Sequence, residues 1–264
     1  MLDLSLFETY ETPEDVRISP KRFLFGRRLA LYLDFFKIVL RCRRWSLKGI
    51  FSDPAFWDQS DKIREVMEQY GGRFHISGLQ NLHTQGPFVV VANHMGVLET
   101  QIMPWIIGCF SPISVVMKES LYNSWLFGPI AKSTKSIGLS RQNLKADLDL
   151  IMKEGVQHLS KGRSIVIFPE GTRKNYFSKK QFNSLGVKLA GRAGAKVVPI
   201  AIKTDFMEPG TISSYFGPIH PERKVMIAVG EPMNIEGRGK REHQNCLDFI
   251  EKNLREWGFP IKEE

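Results

Sequence analysis

The sequence predicts an α/β fold: a mostly parallel sheet flanked by helices, preceded by a helical N-terminal extension. Three observations carry this. From Arg73 onward, short apolar runs alternate with longer helical segments, the order that produces a parallel sheet covered on both faces. Two of the runs, Phe88–Ala92 and Ser164–Phe168, read as buried strands. Before Arg73 the pattern is helical only, and Gly71-Gly72 closes it.

Taken in order, residues 1–19 are polar and acidic and carry no periodic pattern. Residues 20–49 read as one helix, bent near Gly26, where the helix-weakening glycine falls. A second helix starts at Pro54 and runs to about Tyr70. The expected division is therefore 1–72, a helical extension, and 73–264, the α/β domain. Within the latter, strands are expected at Phe74–Ser77, Phe88–Ala92, Ile113–Met117, Ser136–Leu139, Ser164–Phe168, Lys196–Ile202 and Val225–Val229. Helices are expected at about Gly96–Ile107, Tyr122–Ala131, Leu144–Leu159, Ser184–Ala193 and Lys240–Trp257. Pro199 inside a strand calls for an edge, a bulge or a strand end at that point. No internal repeat or low-complexity tract interrupts the pattern.

The chain has 264 residues and a net charge of +9. That charge is concentrated. Residues 21–48 hold nine basic residues against one acid, Asp34, so nine minus one places +8 in this segment and leaves +1 for the rest. The same block contains Phe23, Leu24, Phe25, Leu29, Leu33, Phe36, Leu40 and Trp45. Asp34 and Lys37 interrupt it, so no uncharged run reaches the ~20 residues needed to span a bilayer. Mixed aromatic, aliphatic and basic content suits a helix lying at an anionic lipid surface, and the extension is expected to face a membrane. A helix docked on the core with a solvated basic face fits the same pattern. Charges inside the apolar part and the lack of a small-residue cleavage site argue against a signal peptide. The three cysteines, Cys42, Cys109 and Cys246, are odd in number and widely spaced, which argues against a disulfide framework or a structural zinc site and fits a reducing compartment.

The chemistry begins at Val89–Thr100, VVVANHMGVLET. An apolar strand runs directly into Asn93-His94, and a helix follows. On a single helix, residues five apart point ~140° away from each other. His94 and Glu99 can therefore meet only if His94 lies on the strand-to-helix turn and Glu99 in the first helical turn. There the carboxylate orients the imidazole and stabilises its positive form while the ring takes a proton from a hydroxyl. Alone, this spacing is equally that of a capping or core histidine.

A second string, Ser164–Arg173, reads SIVIFPEGTR. After the strand, Gly171 permits unusual dihedrals, and Thr172 and Arg173 supply a hydroxyl and a charged fork suited to phosphate. Glu170 lies in the same turn. Lys118 follows the strand Ile113–Met117, and Arg141 follows Ser136–Leu139. Four strands thus place His94, Lys118, Arg141 and Glu170–Arg173 at their carboxyl ends, the rim at which open parallel sheets bind ligands. One acid–base residue facing three cations describes a site for an alcohol attached to a phosphate. The sequence has no GxSxG elbow, P-loop, GxGxxG turn or HExxH string. Direct attack by the substrate hydroxyl is the simplest chemistry left. The other five histidines have no partner at a telling spacing.

These strings together resemble the glycerolipid acyltransferase family, which contains 1-acylglycerol-3-phosphate and glycerol-3-phosphate acyltransferases. Asn93-His94 through Glu99 looks like the family's NHxxxxD motif, Ile137–Arg141 like its second motif, Phe168–Arg173 like the complete FPEGTR motif, and Val198-Pro199-Ile200 like its proline-centred fourth. The order holds over about residues 74–205. The resemblance implies a glycerol-3-phosphate acyltransferase-like fold. It implies His94 and Glu99 as the catalytic pair, with Asn93, Lys118, Arg141, Glu170, Gly171, Thr172 and Arg173 binding substrate and backbone N–H groups near His94 as candidate oxyanion donors.

The donor implied is acyl-CoA or acyl-carrier protein, with no metal and no further cofactor, and the acceptor is lysophosphatidate. Glycerol 3-phosphate, another lysolipid or a non-catalytic lipid-binding role are the alternatives. Glu99 departs from the family's aspartate, which leaves the acceptor's identity open. The expected location is the cytoplasmic face of a membrane, as a peripheral protein. Nucleic acid is not expected as a partner, because the basic block is dense in aliphatic residues and no recognition motif is present.

Overall fold

A computed structural model describes residues 2–210 and 216–262. The fold is a mixed α/β sheet flanked by helices. Among the described residues its eight strands are β1 (Thr9–Glu11), β2 (Phe74–Ser77), β3 (Phe88–Ala92), β4 (Ile113–Lys118), β5 (Ile137–Leu139), β6 (Ser164–Ile167), β7 (Lys196–Lys203) and β8 (Val225–Val229). They lie in the order β1-β2-β8-β7-β3-β6-β4-β5. β7, β3, β6, β4 and β5 are mutually parallel neighbours, so their carboxyl ends share one rim. β8 is antiparallel to β7 and brings its first residues to the same rim. β1 is an antiparallel edge strand on β2.

The central strands alternate between two buried faces. Phe88, Val90 and Ala92 join one apolar cluster, while Val89 and Val91 join another. β3 and β6 are buried throughout, which is why they lack polar alternation. The first cluster is covered by α2 (Arg27–Leu47), α3 (Asp53–Gln69) and α4 (Leu98–Gly108), which follow the short α1 (Lys21–Phe25). Two brief helices, α5 (Glu119–Tyr122) and α6 (Gly128–Ser133), come next in the chain. The second cluster is covered by α7 (Leu144–Ser160), α8 (Leu185–Ala193) and α9 (Lys240–Glu256).

Several expectations shift. The helix expected over 20–49 is divided at Gly26, whose φ of 74° no helix accommodates. Far from lying apart, α2 buries Leu31, Phe35, Ile38 and Val39 in the same cluster as Phe88 and Ile200, so the apolar core runs across the boundary expected at residue 72. The helix expected over Tyr122–Ala131 forms only as α5 and α6. Gly128 lies against the Tyr122 carbonyl, where a Cβ would come within 2.8 Å, and Pro129 opens the second piece. β1 has no counterpart among the expectations, because Tyr10 is its one buried side chain. Pro199 sits where the β8 ladder ends: its carbonyl accepts from Gly230 N–H at 2.8 Å, and β7 next pairs with Met233.

Candidate active site

At the rim, β3 delivers Asn93 and His94 into a turn, and α4 starts at Leu98. Asn93 is buried. Its amide donates to the Ile202 carbonyl at 2.7 Å and accepts from Ile202 N–H at 2.8 Å. One bond at each end of the side chain thereby pins β3 to β7. Asn93 thus has a framework role, in addition to the substrate contact that the family resemblance implies.

The next three residues are held by carboxylates. His94 N–H donates to Glu170 Oε2 at 2.8 Å. Met95 and Gly96 N–H both donate to Glu99 Oε1 at 2.6 Å. Glu99 is fully buried, and its position in the first turn of α4 places it beside the positive end of the helix. His94 Nδ1 lies 3.9 Å from Glu99 Oε1, close enough for charge coupling but too far for a hydrogen bond. Nδ1 and Glu99 Oε2 are buried without hydrogen-bond partners. The imidazole lies flat against the Phe168 ring, with centroids 4.4 Å apart and planes 26° apart.

Burial is the largest influence on the His94 ring and pulls its pKa below the ordinary value. Glu99 opposes this shift, while Arg173 and Arg141 reinforce it. The ring is therefore biased toward its neutral, proton-accepting form. The same influences place both arginines within electrostatic reach of the ring.

Arg141 follows β5 with a φ of 61°, a left-handed conformation costly to a residue with a Cβ. Asp147, in the first turn of α7, secures it. Its Oδ2 accepts Arg141 N–H at 2.6 Å, and its Oδ1 accepts Ser140 N–H at 2.9 Å. Sequence reasoning passed over Asp147; an acid in a first helical turn just after a candidate arginine was the available signal. Lys118 ends β4 on the same rim and is exposed.

Glu170 is 9% exposed, and burial raises its carboxyl to about 7, against the His94 N–H and Lys174, which pull it down. Its Oε1 is buried without a partner. Gly171 takes the left-handed φ of 71° expected of it, Thr172 is exposed, and Arg173 is half-buried. Lys174 N–H donates to the His94 carbonyl at 2.9 Å, which ties this loop to the β3 turn. No group of three or more His, Cys, Asp or Glu side chains among the described residues could hold a metal ion. On the α4 side of the sheet, a small apolar cavity of about 80 Å³ lies between α2, α3, α6 and β4.

A family model described as Acyltransferase matches residues 73–203, the stretch that contains this constellation. Residues 73–203 form an acyltransferase domain of the glycerolipid acyltransferase type. It is 32% identical over 172 residues to a 1-acyl-sn-glycerol-3-phosphate acyltransferase of Pseudomonas aeruginosa, a match covering 65% of this chain and 63% of the relative. It is 29% identical over 168 residues to a lyso-ornithine lipid O-acyltransferase of the same organism, covering 59% of this chain and 63% of that one. The chain thus spans a little under two thirds of each of these relatives. The crystal structure of the 1-acyl-sn-glycerophosphate acyltransferase PlsC from Thermotoga maritima shares the fold, with a TM-score of 0.66 over 90% of this chain and 98% of that one at 19% identity.

Proposed function

We propose that this protein transfers a fatty acyl group from a thioester donor, acyl-CoA or acyl-carrier protein, to the free hydroxyl of lysophosphatidate. The observation that carries the reading is a buried, neutral-biased imidazole, coupled to Glu99, within electrostatic reach of Arg141 and Arg173. Nδ1 is sealed on the Glu99 side, so Nε2 takes the acceptor's hydroxyl proton. The oxygen so activated attacks the thioester carbonyl carbon. The resulting tetrahedral oxyanion collapses, the C–S bond breaks, and the imidazolium returns its proton to the departing thiolate. Ester and thiol are the products, and no covalent enzyme intermediate forms. Glu99 stabilises the imidazolium through space, and the two guanidinium groups bind the acceptor's phosphate.

A membrane surface is the natural place for this chemistry. Phe23 and Leu24 are each 77% exposed, and Phe25, Leu29, Leu33, Leu40, Leu47 and Ile50 are exposed along the same basic segment. Among the described residues no helix is long and apolar enough to cross a membrane. We read α1 and the outer side of α2 as lying on anionic lipid, at the cytoplasmic face, from which a lipid acceptor can enter.

The relative that acts on a lyso-ornithine lipid makes a non-phosphate lysolipid the second reading of the acceptor. Purified protein incubated with acyl-CoA and a panel of acceptors, with thiol release followed, separates them. The proposal expects fastest release with lysophosphatidate. A clear preference for an acceptor without phosphate rejects the role given to Arg141 and Arg173.

A further inference from the structure

One large feature of the rim enters these steps only through Arg173. A cavity of about 750 Å³ opens beside the catalytic turn. Met95 and Thr204 line its inner end, the stretch Arg173–Tyr176 forms one wall, and Gly258–Pro260 form the outer wall. That outer wall is fastened. Phe177 N–H donates to the Pro260 carbonyl at 2.9 Å, and Lys262 N–H donates to the Phe177 carbonyl at 2.8 Å. The tail after α9 is thus bonded to the same loop that Lys174 ties to His94.

The lining is mixed. Its cations are Arg173, Lys174, Lys203 and Arg223, against Asp205 and Glu208, four minus two giving +2. Lys203 pairs with Asp205 at 3.2 Å, and Arg223 pairs with Glu208, so both acids of the lining are engaged by cations other than Lys174. The Lys174 ammonium is held by the neutral amide oxygen of Gln181. Lys174 and Lys262 each place their ammonium 5.8 Å from the centre of the Tyr176 ring. A half-buried ring flanked by two cations suits a phosphate next to a flat or amide-bearing group.

We propose that this cavity receives the phosphopantetheine arm of the acyl donor, with its phosphate at Lys174 and Lys262 beside Tyr176 and its sulfur end toward Met95 and His94. The assignment rests on the acyl transfer proposed above. A lysolipid fits the space poorly. Its glycerol phosphate would fill only a fraction of it, and its acyl chain would run along two ion pairs, which costs desolvation without compensation. An arm carrying two amides and an anion matches the mixed walls. The arm is common to CoA and to carrier protein.

The test uses the full chain carrying His94→Ala, so that binding is read without turnover. CoA, holo carrier protein and lysophosphatidate are titrated calorimetrically into this protein and into versions that add Lys174→Met with Tyr176→Ala, or Lys262→Glu alone. Lys262 is exposed, so the second version leaves the core untouched. A loss of at least about fivefold in affinity for CoA in both versions, with lysophosphatidate unchanged, is expected. The same loss confined to holo carrier protein also supports the site and names the carrier as its source. Unchanged affinity for both donors, or a loss falling on lysophosphatidate instead, overturns the assignment. Substitution-sensitive CoA binding in a protein whose unsubstituted form releases no thiol with any acceptor would defeat the proposed reaction and leave the cavity assignment standing.

Discussion

Three consecutive amide hydrogens, those of His94, Met95 and Gly96, end on carboxylates. The extra methylene of Glu99, relative to the family's aspartate, is used here. The side chain curls back so that one oxygen accepts two N–H groups, and the ring of His94 is left at 3.9 Å. Backbone donors close to His94 were the candidates for the oxyanion, and these three are already engaged. Glu170 acts on the ring through the main chain, since its Oε2 accepts the His94 amide hydrogen. Its carboxyl, raised to about 7 from 4.5, gives a linkage prediction. Below pH 4.5 both the folded and unfolded forms carry the proton. Between about 4.5 and 7 the unfolded chain ionises first, so this residue subtracts from stability as pH rises, by up to about 3 kcal/mol. Glu170→Gln keeps an acceptor for the His94 N–H and removes the titration. Denaturant unfolding at pH 5 and pH 8 should show the variant gaining on the wild-type protein at the higher pH; an equal difference at both pH values would contradict the raised carboxyl.

At the scale of elements, α2 does two jobs. Its inner side, with Leu31, Phe35 and Val39, belongs to the sheet's core, while its outer side carries Leu29, Leu33 and Leu40 into solvent. Residues 1–49 therefore cannot be removed without opening the core, and membrane attachment has to be tested by substitution. Phe23 and Leu24 on α1 are exposed and contribute nothing to the clusters. Phe23→Glu with Leu24→Glu should leave the melting temperature within about 2 °C, because exposed sites shift stability by no more than ±0.5 kcal/mol. Binding to phosphatidylglycerol vesicles should fall at least about tenfold, read by co-sedimentation. Unchanged sedimentation would move the attachment to another surface. Serine insertion at α4 shows the opposite case, a feature no local pattern encodes. Pro104 lies inside the helix, and Ser60 of α3 accepts the Trp105 N–H at 2.9 Å while donating to the Gln101 carbonyl. The hydroxyl stands in for one rung of the ladder at the contact between α3 and α4.

Across the whole molecule, what the sequence made legible follows from range. β3, β6 and the turns after them were readable because strand period, glycine and charge fall within a dozen residues. The rim shared by His94, Arg141 and Glu170–Arg173 was readable because strand–helix alternation dictates parallel neighbours. Asn93 reads as a ligand residue from its position next to His94, yet its partner Ile202 lies 109 residues away. The Glu170 bond to His94 spans 76 residues. The core side of α2 was hidden because aromatic, aliphatic and basic residues mix in the same way on a lipid surface and on a protein core. In the assembled molecule these parts form one arrangement, with a basic apolar face on α1 and α2, a buried imidazole at the rim, and a polar cavity behind it bounded by the segment after α9.

The most direct measurement of this account is thiol release from acyl-CoA in the presence of lysophosphatidate, followed from pH 5 to pH 9 for the wild-type protein and for His94→Ala. The wild-type rate should rise along a limb centred below pH 6.5, as burial and the two arginines require of the ring. The variant should lose at least about 100-fold while keeping its melting temperature and vesicle binding. A folded His94→Ala protein that works within tenfold of the wild-type rate would contradict the assignment of His94 as the base.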